Sequence, residues 1–300
     1  MNIFELSLVL LGISIVAGVL GSLLGLGGGF VIVPFLTLVF HLDIRLAIGT
    51  SIVAVAATSS AGAARNVFAS ITNLRVATFL AMATTLGAVT GALLSGVFDA
   101  RFLFGLFGIV LGVSGVQMLR KHAAKPEQAA KVAGECRVPA MQSSLAGGTA
   151  RVTGAGLADR LALHSAYYDE AEGAEVSYVV THTGLGLALM YLAGTVSGLL
   201  GIGSGVLKVP AMDLAMHIPM KVSTATSNLL IGLTAAASAV VYFARGDIDP
   251  LVAGPVAIGV LIGATQGSKL LVGIRADRLR VLFVTALLVV AAQMLWKGIG

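Results

Sequence analysis

Two glycine-rich decapeptides hold the residues of this sequence best suited to chemistry. Gly25-Leu-Gly-Gly-Gly-Phe-Val-Ile-Val-Pro34 recurs 176 residues later as Gly201-Ile-Gly-Ser-Gly-Val-Leu-Lys-Val-Pro210. Glycine in a helix interior costs about 1 kcal/mol relative to alanine, so a glycine cluster inside an apolar run interrupts a helix. It also lets neighbouring backbones approach closely. The helix that restarts beyond the interruption begins with N–H groups that have no intrahelical partner, and an anion is their natural complement. The candidate donors lie around Gly27, Gly28, Gly29 and Phe30 in the first copy, and around Gly203, Ser204, Gly205 and Val206 in the second. Pro34 and Pro210 are expected near the first turn of each restarted helix, where a missing N–H does least harm. The bland alternative is that the glycines serve packing alone, the role expected of Gly87 with Gly91 and of Gly263 with Gly267.

Hydroxyls and one cation add to this set. Thr50-Ser51 and Thr226-Ser227-Asn228 each fall near the start of the apolar segment that follows a decapeptide. Their hydroxyl and amide hydrogens suit anion oxygens, and capping or back-bonding to a helix carbonyl is the competing use. Lys208 breaks the symmetry, because its partner in the first copy is Ile32. An ionisable residue within a membrane segment is a functional candidate by default; pairing with Asp213 or snorkelling to an interface are its other uses. Gln117 and Gln293 end apolar segments, which suits interfacial hydrogen bonding. His41 and His217 stand in short loops, where solvation is the ordinary outcome.

The elements that must position these groups are membrane spans. Hydrophobic residues make up 57% of the chain and charged ones 11%, with a mean hydropathy of +0.97, against about 25% charged in soluble domains. No Asp, Glu, Lys or Arg occurs from Leu6 to Leu42, from Val76 to Phe98, or from Phe102 to Leu119. Each run is long enough for a helix crossing the hydrocarbon core, which takes about 17–25 residues. Unpaired backbone groups are too costly in lipid, so spans are helices or closed barrels. The absence of in–out alternation excludes a barrel. The sequence predicts an all-α polytopic membrane protein. The net charge of +5 reflects basic residues between spans and calls for no nucleic acid. One cysteine, Cys136, forms no intrachain disulfide and has no metal-ligand spacing.

The 176-residue offset extends well beyond the decapeptides. It pairs Gly18 with Gly194, His41 with His217, Arg45 with Lys221, Thr50-Ser51 with Thr226-Ser227, Gly87 and Gly91 with Gly263 and Gly267, Gln117-Met118-Leu119 with Gln293-Met294-Leu295, and Lys121 with Lys297. Each half reads as five apolar segments: 5–24, 28–40, 46–68, 75–98 and 102–119, then 182–200, 204–217, 222–244, 251–273 and 279–297. The second segment of each half is short, as a half-helix would be. An odd number per half inverts the second repeat. With the N-terminus outside, Arg65, Arg75, Arg120, Lys121, Lys125, Lys221, Arg275, Arg278 and Arg280 fall inside, against Arg45, Arg101, Arg245 and Lys297 outside. That bias agrees with positive-inside placement. The expected organisation is a first transmembrane repeat over 1–121, a cytoplasmic insert over 122–177 and a second repeat over 178–300. The insert, basic early and acidic late, reads as a weakly folded linker.

Other function classes find little support. No His-Glu-x-x-His, no Gly-x-Ser-x-Gly elbow and no carboxylate cluster suggests an enzyme, and no cofactor is called for. A cation carrier would want acidic residues within spans, where Asp213 stands alone. The expected partners are a small-molecule anion, the lipid bilayer and, as an open choice, a coupling proton. Two oxyanion-sized donor sets facing each other across a pseudo-two-fold axis would make a secondary anion transporter, with an anion channel as the alternative.

The glycine-rich segment ending in Val-Pro, the Thr-Ser that follows it, and the two-half layout resemble the TauE/SafE family of sulfite and organosulfonate exporters. The resemblance covers residues 8–121 and 182–297 and departs from the family at the long central insert and at Ser204, which stands where the first half has Gly28. It implies transport of sulfite, a sulfonate, thiosulfate or a related sulfur oxyanion across a bacterial inner membrane, for which the two facing broken helices suggest alternating access.

Overall fold

The computed structural model describes residues 3–24, 28–68, 72–123, 163, 165–169, 174–203, 205–270 and 288–298. The first half contributes α1 (Ile3–Leu24), the short α2 (Gly29–Leu38), α3 (Ile44–Phe68), α4 (Leu74–Ser95) and α5 (Ala100–Ala123). The second contributes α6 (Thr183–Leu200), the short α7 (Gly205–Pro210), which widens into a π-helical turn (Ala211–Ala215), then α8 (Met220–Ala244), α9 (Pro250–Leu270) and α10 (288–298). Among the described residues, four stretches are long and apolar enough to cross a membrane: Ile44–Ala64, Leu74–Ser95, Thr183–Leu200 and Lys221–Ala244. Their outward faces carry bare apolar side chains such as Met82, Leu86, Leu192, Val240 and Phe243, an arrangement lipid tolerates and water does not.

Partners are exchanged between the halves. The α1 helix packs on α9, α4 packs on α6, and α3 crosses α8. Small residues set these distances. A Cβ on Gly87 would lie 2.2 Å from Tyr191 O, and one on Gly263 would lie 2.1 Å from Ile15 O. Similarly, Gly194 faces Thr84 O at 2.3 Å and Gly18 faces Val260 O at 2.3 Å. Each pair of contacts is one contact seen twice, 176 residues apart. The role of Gly87, Gly91 and Gly263 is therefore helix packing, because backbone touches backbone there.

The repeated offset also recurs in helix ends. His41 and His217 adopt φ of 54° and 55°, left-handed values that stop a helix. The bond from Leu42 N to Leu36 O at 3.1 Å is matched by Ile218 N to Met212 O at 3.2 Å. The equivalent helices α3 and α8 cross antiparallel: Ser59 meets Gly232 while Gly62 meets Asn228.

Loops gather at two ends. At one, Arg45 Nη2 donates to Phe98 O at 3.0 Å, and Arg245 donates to Ala92 O at 2.6 Å and to Ser95 Oγ at 3.2 Å while pairing with Asp247. At the other, Asn73 caps α4 by accepting from Val76 N, and its Nδ2 donates to Leu163 O at 3.1 Å and to the Tyr178 hydroxyl at 2.8 Å.

The end of the insert is more ordered than its composition suggests. Strands β1 (Ser165–Asp169) and β2 (Ala174–Tyr178) pair antiparallel, Tyr167 opposite Val176. Tyr167, Tyr168, Val176 and Tyr178 supply the strand propensity. Buried Leu163, Tyr178 and Val180 join Val76, Leu80, Met190, Met212 and Met216 in one apolar cluster. Cys136, the earlier part of the insert and Arg275, Arg278 and Arg280 lie outside the described residues.

Candidate functional site

Both glycine interruptions arise where the sequence places them. Gly201 closes α6 in a left-handed conformation (φ 66°), and Gly28 precedes α2 in the same region (φ 72°). L-residues with a side chain rarely adopt such angles. The α2 helix restarts at Gly29, so Pro34 is its sixth residue rather than part of its first turn. Pro210 likewise closes the sixth position of α7, and the chain beyond it opens into the π-helical turn. The expectation of a first-turn proline misjudged how early each helix restarts: the left-handed residue sits directly before Gly29, leaving a full turn ahead of the proline.

The two interruptions meet. A Cβ on Gly29 would lie 2.6 Å from Gly201 O, from Ser51 Oγ and from Val55 Cγ2 at once. Ser51, fully buried on α3, joins them: its hydroxyl is 2.8 Å from Gly201 O and 3.3 Å from Gly29 O. With one proton, it donates chiefly to the nearer carbonyl. Val31 N donates to Gly28 O at 3.1 Å. In this conformation the facing groups at the junction therefore include carbonyls and an engaged hydroxyl.

Buried donors without partners lie nearby in sequence. Thr50 Oγ1 and Ser227 Oγ are enclosed and make no hydrogen bond among the described residues. Leaving a buried polar group unmatched costs about 1–3 kcal/mol, so a hydrogen-bonding partner reaching either hydroxyl would be favoured. Thr226 Oγ1 accepts from Asn73 N at 3.3 Å, which links it to the end of the bundle where the hairpin docks. Asn228 faces the α3 backbone, its Nδ2 3.6 Å from where a Cβ on Gly62 would stand. Phe30, Gly203 and Gly205 are buried, and Val206 belongs to α7. Gly27 and Ser204 lie outside the described residues.

Lys208 is buried completely, and Nζ donates to Thr234 Oγ1 at 2.9 Å. Thr234 gives its own proton to Leu230 O at 2.8 Å or Ile231 O at 3.0 Å, so it meets the lysine as an acceptor. Thr234 escaped the sequence reading, although two signals pointed to it. It lies seven residues after Ser227 on one helix face, and the offset pairs it with Thr58, which makes the same bonds to Ala54 O and Val55 O at 3.1 Å. Lys297 caps the far end of α2, donating to Thr37 O at 3.0 Å with Nζ 4.9 Å from the Phe104 ring centroid. A cation there complements the negative end of a short helix.

A family model described as Sulfite exporter TauE/SafE matches residues 10–294. The chain belongs to the TauE/SafE family. It is similar to the probable membrane transporter protein YunE of Bacillus subtilis (strain 168), at 26% identity over 298 residues, 97% of this chain and 98% of the relative. A probable membrane transporter protein of Xylella fastidiosa (strain 9a5c) is 26% identical over 282 residues, covering 92% and 90%. The probable membrane transporter protein MJ0441 of Methanocaldococcus jannaschii is 24% identical over 298 residues, covering 94% and 93%. No solved structure matches the chain. This TauE/SafE chain is thus a multi-pass membrane transporter rather than an enzyme.

Proposed function

We propose that this TauE/SafE chain moves a small sulfur oxyanion, such as sulfite, an organosulfonate or thiosulfate, by alternating access about the junction of its two broken helices. The contact of Gly29 with Gly201 through Ser51 carries this reading, since it brings the interruption of each half to one buried point. Thr50, Ser227 and Lys208 supply unspent or positive donors to an anion there. The amides of Gly28, Gly29, Phe30, Gly203, Gly205 and Val206 join them as the helices part, with Ser51, Thr226 and Asn228 lining the walls.

The two halves are inverted repeats in this reading. Antiparallel crossing of α3 with α8, and the bond from Asn73 N to Thr226 Oγ1 that sets the start of α8 beside the residues following α3, support it. The insert then lies on the cytoplasmic side of a bacterial inner membrane, between repeats at 1–121 and 178–300. Rocking one repeat against the other opens the junction to each side in turn.

A thermal-shift screen of the purified protein tests the substrate class, because a ligand that binds only the folded state raises its melting temperature. Sulfite, thiosulfate or a sulfonate should stabilise the protein where chloride and phosphate do not. Equal response to every anion, or to none, refutes the assignment.

A further inference from the structure

We propose that Lys208 carries the coupling proton: its amine takes up one proton as the anion binds and gives it up as the anion leaves. This rests on the site described under Proposed function and adds to it the identity of the coupling ion and the atom that holds it.

The surroundings of Nζ lead to this conclusion. Lys208 is wholly enclosed and meets a neutral hydroxyl, Thr234 Oγ1, at 2.9 Å. That hydroxyl accepts from either a neutral amine or an ammonium; the charged donor bonds more strongly, but one neutral hydroxyl supplies no counter-charge to a buried ammonium. The elements packed on α7 are α6, the π-helical turn and α8. Their described titratable groups are Tyr191, Asp213, Lys221 and Tyr242. Tyr191 and Lys221 are exposed, and the Tyr191 hydroxyl lies against Thr90 at 3.2 Å. The Tyr242 hydroxyl donates to Gly198 O at 2.9 Å. Asp213 is partly exposed on the π-helical turn. Nζ thus finds no carboxylate partner among the described residues, while an ammonium buried without counter-charge costs several kcal/mol.

Two states avoid that cost. The site is either empty, with a neutral amine, or filled, with ammonium and anion neutralising each other. The balanced step is R–NH2 + H⁺ + A⁻ giving R–NH3⁺ paired with A⁻, with the N–H bond broken and the proton returned to solvent on release. Linkage then requires that proton and anion strengthen each other's binding by the same factor. The first half offers apolar Ile32 at the equivalent position, so the device is present once and sets one proton per anion. A monoanion would cross without net charge, and a dianion would carry one negative charge.

Calorimetric titration of the purified full chain in buffers of different ionisation enthalpy tests the proposal. Thiosulfate and methanesulfonate serve as probes because neither titrates near neutral pH. The wild-type protein should take up close to one proton per anion bound. Lys208→Arg, which keeps a permanent charge, should bind with no uptake, and Lys208→Met should lose tenfold or more in affinity. Anion binding by the wild type without proton uptake overturns the role of Lys208 and leaves the site standing. So does an unchanged uptake in Lys208→Arg. Failure of the wild type to bind either probe overturns the site itself.

Discussion

Replacing Gly29 by alanine probes the junction with the smallest possible change. The added Cβ would meet Gly201 O, Ser51 Oγ and Val55 Cγ2, all at 2.6 Å. The valine methyl can rotate aside, but Gly201 O is backbone, so α2 and the α6–α7 break must separate. Overpacking of this kind costs about 1–3 kcal/mol. If Ser51 turns away as well, its bond to Gly201 is lost, adding about 0.5–1.5 kcal/mol. Alanine returns at most about 1 kcal/mol of helix propensity. The net expectation is a destabilisation of about 1–3 kcal/mol, with transport falling more steeply than stability because, in the proposed cycle, the substituted atom stands between halves that must part. Thermal unfolding in detergent beside anion flux into proteoliposomes measures both. Gly112→Ala is the control: a Cβ there meets nothing within 4 Å, so stability should equal or exceed wild type by up to about 1 kcal/mol and flux should match it. Wild-type flux and melting in Gly29→Ala would refute the placement of the two breaks against each other.

Other perturbations follow the same logic. Ser51→Ala removes the hydroxyl between Gly29 O and Gly201 O and should destabilise by about 1–3 kcal/mol; an unchanged unfolding midpoint would contradict that role. Gly263→Ala drives a Cβ to 2.1 Å from Ile15 O, and since neither backbone can yield without parting α1 from α9, folded yield by size-exclusion chromatography should collapse. Asn73→Ala strips the α4 cap, typically about 1 kcal/mol, together with the bonds to Leu163 and Tyr178. Hydrogen exchange in strands β1 and β2 should then rise, whereas unchanged protection would mean that the hairpin is held by other contacts.

Most of the helical layout was legible because lipid imposes a simple rule: long uncharged runs become helices. The segments read as 46–68 and 222–244 correspond to α3 and α8 within a few residues. Gly25 to Pro34 and its copy announced a break because glycine clusters cannot sustain a helix. What the sequence withheld is where freed groups spend their hydrogen bonds. Ser51 looked like a donor for a ligand, yet its proton goes to Gly201 O across a gap of 150 residues that no local pattern encodes. Lys208 was visible as an oddity, but Thr234 became its partner only once α7 lay against α8. The hairpin at the end of the insert was missed because the charged and glycine-rich stretch around it dilutes two short strands of ordinary propensity.

The exchange of helices between halves bears on how the protein is made. Because α1 is matched to α9 and α4 to α6, neither half contains the surface that its own outer helices need. During synthesis α1 enters the bilayer more than two hundred residues before its mate is translated, and contacts of such sequence separation form slowly. The glycine-notched face of α4 must likewise wait for α6 beyond the insert. Pairing of α4 with α6 can therefore precede that of α1 with α9, and α1 is the last of these helices to find its partner.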